Sequence, residues 1–212
     1  MVKKGRDVAG TRAIPLYLPR TDFDKAMKIL KAAPLFKVNP LSKANIGILV
    51  TGTEVFRGLI KDKFIPIISA KAEKLGCKII KSFIVPDEKD AICIGIKDLI
   101  EAGTDILVTT AGLSVDPDDV TRQAISDSGA EDILYGAPVL PGAMTLLAHI
   151  GKVKIIGVPA CALYFKTTSF DLLMPRLLAV IEITRQDLAR MGHGGFCLQC
   201  KSCKFPRCAF GK

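Results

Sequence analysis

The chain has 212 residues, 49% hydrophobic and 24% charged, a balance that suits a folded globular protein and excludes a disordered or fibrous one. No run approaches the roughly 20 apolar residues of a membrane helix, and the opening MVKKGRDVAG lacks the apolar core of a secretory signal, so a cytoplasmic protein is expected. The formal net charge of +9 invites a nucleic-acid reading, yet it is held unevenly, at +7 over residues 1–43, −2 over 44–186 and +4 over 187–212.

These stretches are also the expected domains: a basic N-terminal segment (1–43), a folded domain (44–186) and a cysteine-rich tail (187–212). The folded part is slightly acidic and only Lys201, Lys204 and Arg207 offer a local basic patch, so neither nucleic acid nor membrane is an expected partner. Seven cysteines, an odd count without a signal peptide, argue against a disulfide framework.

In chain order, 8–15 reads as a short strand with turns, and Thr21 with Asp22 and Asp24 marks the start of a helix running to about residue 33. From residue 44 the rhythm changes. The run NIGILVT (45–51) is expected as a strand buried on both faces. A helix over 66–75, a strand over 77–85, a helix over 88–102, a strand over 105–110 and a helix over 118–128 follow. Strands are then expected at 132–135 and 152–158, and one long helix over 165–190 with Leu172, Leu173, Leu177, Val180 and Ile181 as its buried stripe. Strands alternating with helices of this length make an α/β fold in three layers, a mostly parallel sheet with helices on both faces.

In such sheets ligands bind beyond the carboxyl ends of the strands, so the loops at 51–61, 85–87, 110–119 and 159–162 are the places to look. The turn Thr110-Ala111-Gly112-Leu113-Ser114 joins small residues and hydroxyls to a helix N-terminus, which suits an anion. Asp116, Asp118 and Asp119 in the same loop favour a ligand that is part phosphate and part polar ring or metal. On local grounds Asp87, in Val85-Pro86-Asp87-Glu88, reads first as the cap of the helix that follows.

Together the motifs TGTE (51–54), IKDKF (60–64), VPDE (85–88), TTAGLSV with DDVT (109–121), LPG (140–142) and GVPACA (157–162) resemble the molybdopterin-binding domain of molybdenum-cofactor biosynthesis proteins, over about residues 44–186. The resemblance implies molybdopterin as ligand and either its adenylylation or metal insertion as the reaction. Asp87 and Asp119 would be the functional carboxylates, positioning a divalent ion such as Mg²⁺. Thr51, Gly52, Thr110, Ala111, Gly112, Ser114, Pro141, Gly142, Pro159 and Ala160 would line the pterin-phosphate pocket, with Glu54 and Asp62 at its mouth. A homo-oligomer, dimer or trimer, is implied too. Ala111 stands where the family has a second glycine, and Pro159-Ala160-Cys161-Ala162 replaces a Pro-Gly-Asn/Gln-Pro turn. These departures motivate the alternative of a non-catalytic cofactor carrier or sensor.

Beyond a flexible link at 191–195, Cys197, Cys200, Cys203 and Cys208 crowd into a stretch too small to fold on apolar burial. Four such thiols in a reducing compartment are expected to bind metal. Smallness suits a four-thiolate zinc site, and the C-x2-C-x2-C run suits an iron–sulfur cluster. Phe196, Phe205 and Phe210 are expected around that site, Cys77 and Cys93 as buried apolar residues, and His149 near a helix end.

Overall fold

The computed structural model describes residues 2, 4–10, 12, 17–110 and 120–212, and the chain divides into two units, Met1–Pro40 and Leu41–Lys212. In the first unit, helix α1 (Arg20–Ala32) follows Pro19 at its N-cap and buries none of its residues. The Arg20–Asp24 and Lys25–Asp22 pairs on its surface are solvent-exposed and contribute only tenths of a kcal/mol each. The short strand expected over 8–15 falls partly outside the described residues, and the described ones there are not in a strand.

The second unit is built on β1 (Asn45–Thr51), β2 (Lys78–Val85), β3 (Ile106–Thr110), β4 (Glu131–Tyr135), β5 (Leu146–Ile150) and β6 (Val153–Val158). They form one sheet in the order β2-β1-β3-β6-β5-β4. β2, β1, β3 and β6 run parallel, while β5 is antiparallel to both β6 and β4. Alternate residues of β1 feed two cores. Ile46, Ile48 and Val50 pack with α3 (Phe64–Glu73) and α6 (Ser169–Leu178) on one face. Leu49 packs with α4 (Lys89–Glu101) and α5 (Val120–Asp127) on the other. Fully burying one such Ile or Leu side chain is worth about 1.5–3 kcal/mol, so the three expected layers form from this strand outward.

Two expectations are corrected. β5 is an additional strand, and it places His149 within the sheet, with Nε2 3.0 Å from Asp132 Oδ2, rather than near a helix end. LLAHI is a short interior strand whose apolar run has no period of its own; its signal is the two-residue turn Gly151-Lys152 that pairs Ile150 with Val153. The long helix at 165–190 is broken as well. α6 ends where Val180 takes a left-handed conformation (φ 53°), with Val180 N–H donating to Leu177 O (3.2 Å) and Ile181 N–H to Arg176 O (3.0 Å). That is a Schellman closure, usually built on glycine. Val180 (73% exposed) and Ile181 (41%) therefore leave the core, while Leu172, Leu173 and Leu177 stay in it. A new helix, α7 (Arg185–Arg190), starts at Thr184, whose hydroxyl accepts from Asp187 N–H (3.2 Å) while Asp187 Oδ2 accepts from Thr184 N–H (3.0 Å).

Candidate functional site

Strand register brings the predicted loops to one edge. Thr51 pairs with Val85, Val50 with Thr110, and Thr110 with Val158, so the carboxyl ends of the four parallel strands stand in a row. Because β5 runs the other way, its first residue Leu146 pairs with Gly157 and the loop before it joins the same edge.

At the β1/β2 end the chain turns through Gly52, whose N–H donates to Val85 O (3.0 Å), into the one-turn helix α2 (Thr53–Phe56). Asp87 Oδ2 accepts from Thr53 N–H (2.8 Å), and Thr53 Oγ1 accepts from Asp87 N–H (3.1 Å). The carboxylate thus caps a helix 34 residues upstream, whereas α4 begins with Glu88 at its N-cap and no side-chain cap hydrogen bond. A cleft of about 470 Å³ opens here, with Thr53, Arg57, Pro86 and Glu88 in its wall. Arg57 is a cation that sequence reasoning missed; Glu54 precedes it by one turn and Gly58 follows it, but the stretch forms no motif that singles it out. Glu54 is exposed. Asp62 accepts from Phe64 N–H (2.8 Å) and Ile65 N–H (3.1 Å), so both its oxygens are taken up at the start of α3.

Around the end of β3, the centre of the row, lie four buried threonines, Thr51, Thr109, Thr110 and Thr121. Thr51 Oγ1 donates to Thr110 O (3.0 Å) and lies 3.2 Å from Thr121 Oγ1, which ties β1, β3 and α5 together. Among the described residues, Thr109 Oγ1 and Thr110 Oγ1 are buried without a hydrogen-bond partner. An unsatisfied buried hydroxyl costs about 1–3 kcal/mol. Consecutive strand residues face opposite sides of the sheet, so Thr109, in register with Leu49, lies on the α4/α5 face and Thr110, in register with Val50, on the α3/α6 face; a ligand along one face of this edge meets only one of the two. Ala111, Gly112, Ser114 and Asp119, with Asp116 and Asp118, lie outside the described residues.

At the β6/β5 end, Pro141, Gly142, Pro159 and Cys161 line a second cleft of about 290 Å³. Gly142 (φ 119°) lies against the start of α6: a Cβ there would overlap Ser169 Oγ and stand 2.5 Å from Ser169 Cβ. Ser169 N–H donates to Pro141 O (3.1 Å) and Thr145 Oγ1 to Gly142 O (2.8 Å), so this turn is held rigidly. Ala160 is exposed and opens a 3₁₀ turn (Ala160–Leu163). Burial pushes the Cys161 thiol above its ordinary pKa, which keeps it protonated near neutrality.

The tail is packed onto the domain, and the flexible link expected at 191–195 is a 3₁₀ turn (Met191–Gly194) with Met191 buried. Its glycines serve contact: a Cβ on Gly195 would overlap Pro138 O, and one on Gly194 would overlap Ala209 O. Leu140 N–H donates to Gly195 O (2.6 Å) and Cys197 N–H to Leu140 O (2.8 Å), and Phe210 is buried in the core. Cys197, Cys200, Cys203 and Cys208 line one cavity of about 270 Å³ with Phe196, Phe205 and Phe210. Among the described residues no three His, Cys, Asp or Glu side chains stand close enough to hold a metal ion. The Thr167 hydroxyl, 3.3 Å from Cys203 Sγ, and the Phe205 backbone pull the Cys203 thiol below its ordinary pKa. Cys77 is buried, and Cys93 is half-buried with Sγ donating to Ala124 O (3.5 Å). No helix among the described residues is long and apolar enough to cross a membrane.

Residues 47–179 match the family described as a probable molybdopterin binding domain. A CinA-like protein of Thermosipho melanesiensis is 33% identical over 88 residues, 42% of this chain and 22% of that protein, so the match spans about a fifth of the relative's length. Among solved structures, the protein CinA of Thermoplasma acidophilum superposes with a TM-score of 0.55 at 17% identity, over 66% of this chain and 99% of that one. The molybdopterin biosynthesis enzyme MoaB of Thermus thermophilus gives 0.52 at 20% identity, over 63% of this chain and 91% of that one. At these identities the two superpositions speak to fold alone.

Proposed function

Since the chain belongs to the probable molybdopterin-binding domain family, we propose that it binds molybdopterin along the carboxyl edge of the sheet and assists adenylyl transfer or metal insertion in molybdenum-cofactor biosynthesis. The observation that carries this reading is the row of strand ends. One edge joins the Thr53–Asp87 pair, the Thr110 hydroxyl, which has no partner among the described residues, and the Pro141-Gly142 turn, with a cleft on either side. In this reading the Thr110 hydroxyl and the loop over 111–119 take the pterin phosphate, with Gly112 and Ser114 contributing backbone and hydroxyl. Thr51, Gly52, Pro141, Gly142, Pro159 and Ala160 shape the pocket, and Glu54 and Asp62 stand at its mouth. Asp87 and Asp119 hold a divalent ion such as Mg²⁺ at the transferring group, where it acts as a Lewis acid and template. Cys197, Cys200, Cys203 and Cys208 bind zinc or an iron–sulfur cluster, and the protein works in the cytoplasm as a dimer or trimer.

A second reading, a carrier or sensor without turnover, is favoured by Ala111 in place of a glycine and by the altered turn at 159–162. The test is anaerobic titration with molybdopterin, followed by turnover with ATP or molybdate. Binding with turnover supports the enzyme and binding alone the carrier; no binding by the full chain sinks both, and binding unchanged by Asp119→Asn removes Asp119 from the site.

A further inference from the structure

The thiol cavity of the tail and the cleft at the end of β6 share a wall. Phe165, Phe196 and Gln199 line both. The backbone builds the sharing in: Leu140 is bridged to Phe196, with Leu140 N–H on Gly195 O (2.6 Å) and Cys197 N–H on Leu140 O (2.8 Å). The residue before Pro141 is therefore fastened to the residue before the first tail cysteine. Gln199 takes the left-handed conformation (φ 50°), reversing the chain between Cys197 and Cys200 so that one residue serves both cavities.

We propose that a metal centre taken up by Cys197, Cys200, Cys203 and Cys208 sets the position of Phe196 and Gln199, and so gates the cleft bounded by Pro141, Gly142 and Pro159. This goes beyond the reading of that cleft as part of the pterin site and rests on it for the identity of the gated ligand. Metal–thiolate bonds of about 2.3 Å require the sulfurs to converge on a common point. The four thiols line one cavity, yet no three stand in such an arrangement. Uptake therefore draws the 197–208 loop together: four S–H groups give four protons to the buffer, and four metal–sulfur bonds replace the ligands the metal brought. The loop cannot close without moving the two residues that wall the cleft. A closed wall removes part of the ordering cost of a ligand bound there, so metal and ligand favour each other's binding.

Either a zinc ion or an iron–sulfur cluster meets this chemistry, and the test separates them. The reduced full-length chain is stripped with chelator under argon and loaded in one arm with Zn²⁺ and in the other with Fe³⁺, Fe²⁺ and sulfide, the ferric iron supplying the oxidising equivalents of the cluster core. Each state is followed by metal analysis, absorption and amide hydrogen exchange over 138–144 and 159–165. The expected result is one centre per chain in one arm and at least ten-fold slower exchange in both segments. Cys200→Ser and Cys203→Ser, at exposed positions, remove the metal and the slowing together. Phe196→Ala retains the metal and loses the slowing. Stoichiometric metal with unchanged exchange overturns the gate, as does failure of both arms to load. Molybdopterin titration of the loaded and stripped wild-type chain separates the two readings. No pterin binding in either state, with exchange still responding, leaves the gate standing and sinks the pterin assignment. Equal pterin binding in both states, with exchange unresponsive, sinks the gate and leaves the pterin site.

Discussion

Asp87 and Thr53 exchange two hydrogen bonds across the carboxyl ends of β2 and β1, Thr53 N–H to Asp87 Oδ2 at 2.8 Å and Asp87 N–H to Thr53 Oγ1 at 3.1 Å. The pair fixes the chain where β1 leaves the sheet and holds the Asp87 carboxylate at the end of β1. A cap alone is worth about 0.5–2 kcal/mol, so stability and function separate cleanly here. Asp87→Asn keeps an oxygen for the Thr53 N–H and loses the charge; it is expected to stay within about 1 kcal/mol of wild-type stability while losing on the order of 100-fold in turnover with molybdopterin. Thermal unfolding beside steady-state kinetics checks this. Wild-type turnover in Asp87→Asn would reduce the residue to a cap.

Gly142 is expected to be among the least replaceable glycines. Gly142→Ala combines overlap with Ser169 Oγ and a positive φ of 119°, and overpacking plus left-handed strain should cost about 3 kcal/mol. Gly129 (φ 85°) has open space around it, so Gly129→Ala carries the strain alone, about 1 kcal/mol. In a domain of this size the difference corresponds to roughly 4–8 °C in Tm. Equal melting temperatures for the two variants would contradict the tight packing of Gly142 on α6.

Those same residues show what the sequence could and could not disclose. β1 was legible because a run buried on both faces needs no partner to identify it. The loops of the site were legible because parallel strands put their carboxyl ends at one edge whatever the loop sequence. The Thr53–Asp87 pair was hidden, since a local reading assigns Asp87 to the helix beside it and nothing in either residue names a partner 34 positions away. Val180 was hidden because a β-branched residue at a left-handed helix end runs against propensity. The glycines at 194–195 misled in the opposite way, their small size serving close approach to Pro138 and Ala209 where composition alone suggests flexibility.

Lys71 and Asp171 form an ion pair of 2.6 Å with side chains only 17% and 19% exposed, and Lys71 Nζ also donates to Lys166 O (3.0 Å). It clamps α3 to the start of α6 beside the Pro141-Gly142 turn. Removing one partner of a largely buried pair leaves the other uncompensated, so Asp171→Ala should destabilise by about 2–4 kcal/mol. Asp171→Ala combined with Lys71→Met should recover part of that loss. Urea unfolding of the four members of this cycle measures the coupling, and purely additive losses would show that the two side chains act independently.

Part of the acid sensitivity should lie at the start of α7. The Thr184 hydroxyl and then the Thr184 backbone hold the Asp187 carboxyl below its ordinary value of 3.8. A depressed carboxylate stabilises the fold above its unfolded pKa, and that contribution is lost as pH falls through the lower folded value. Wild-type stability should therefore decline from about pH 4 downward, and Asp187→Ala should flatten this part of the profile while lowering stability at neutral pH. Urea midpoints across the acid range decide it; a variant profile parallel to wild type would remove Asp187 from the acid response.

The Thr110 hydroxyl, without a partner among the described residues, gives the sharpest separation of fold from ligand. Its side chain is fully buried at the end of the central strand, and valine copies the shape of threonine without its polar atom. Where a buried hydroxyl has no partner, replacing it by an apolar group of the same shape is neutral or stabilising. Thr110→Val should thus keep or raise the melting temperature. If the hydroxyl serves a pterin oxygen, the same change removes about 1.4 kcal/mol of binding, a ten-fold loss of affinity. Differential scanning calorimetry and anaerobic molybdopterin titration on one preparation read both quantities. A fall in stability of more than about 1 kcal/mol would mean the hydroxyl is satisfied within the folded chain. Unchanged affinity at unchanged stability would move the ligand away from β3.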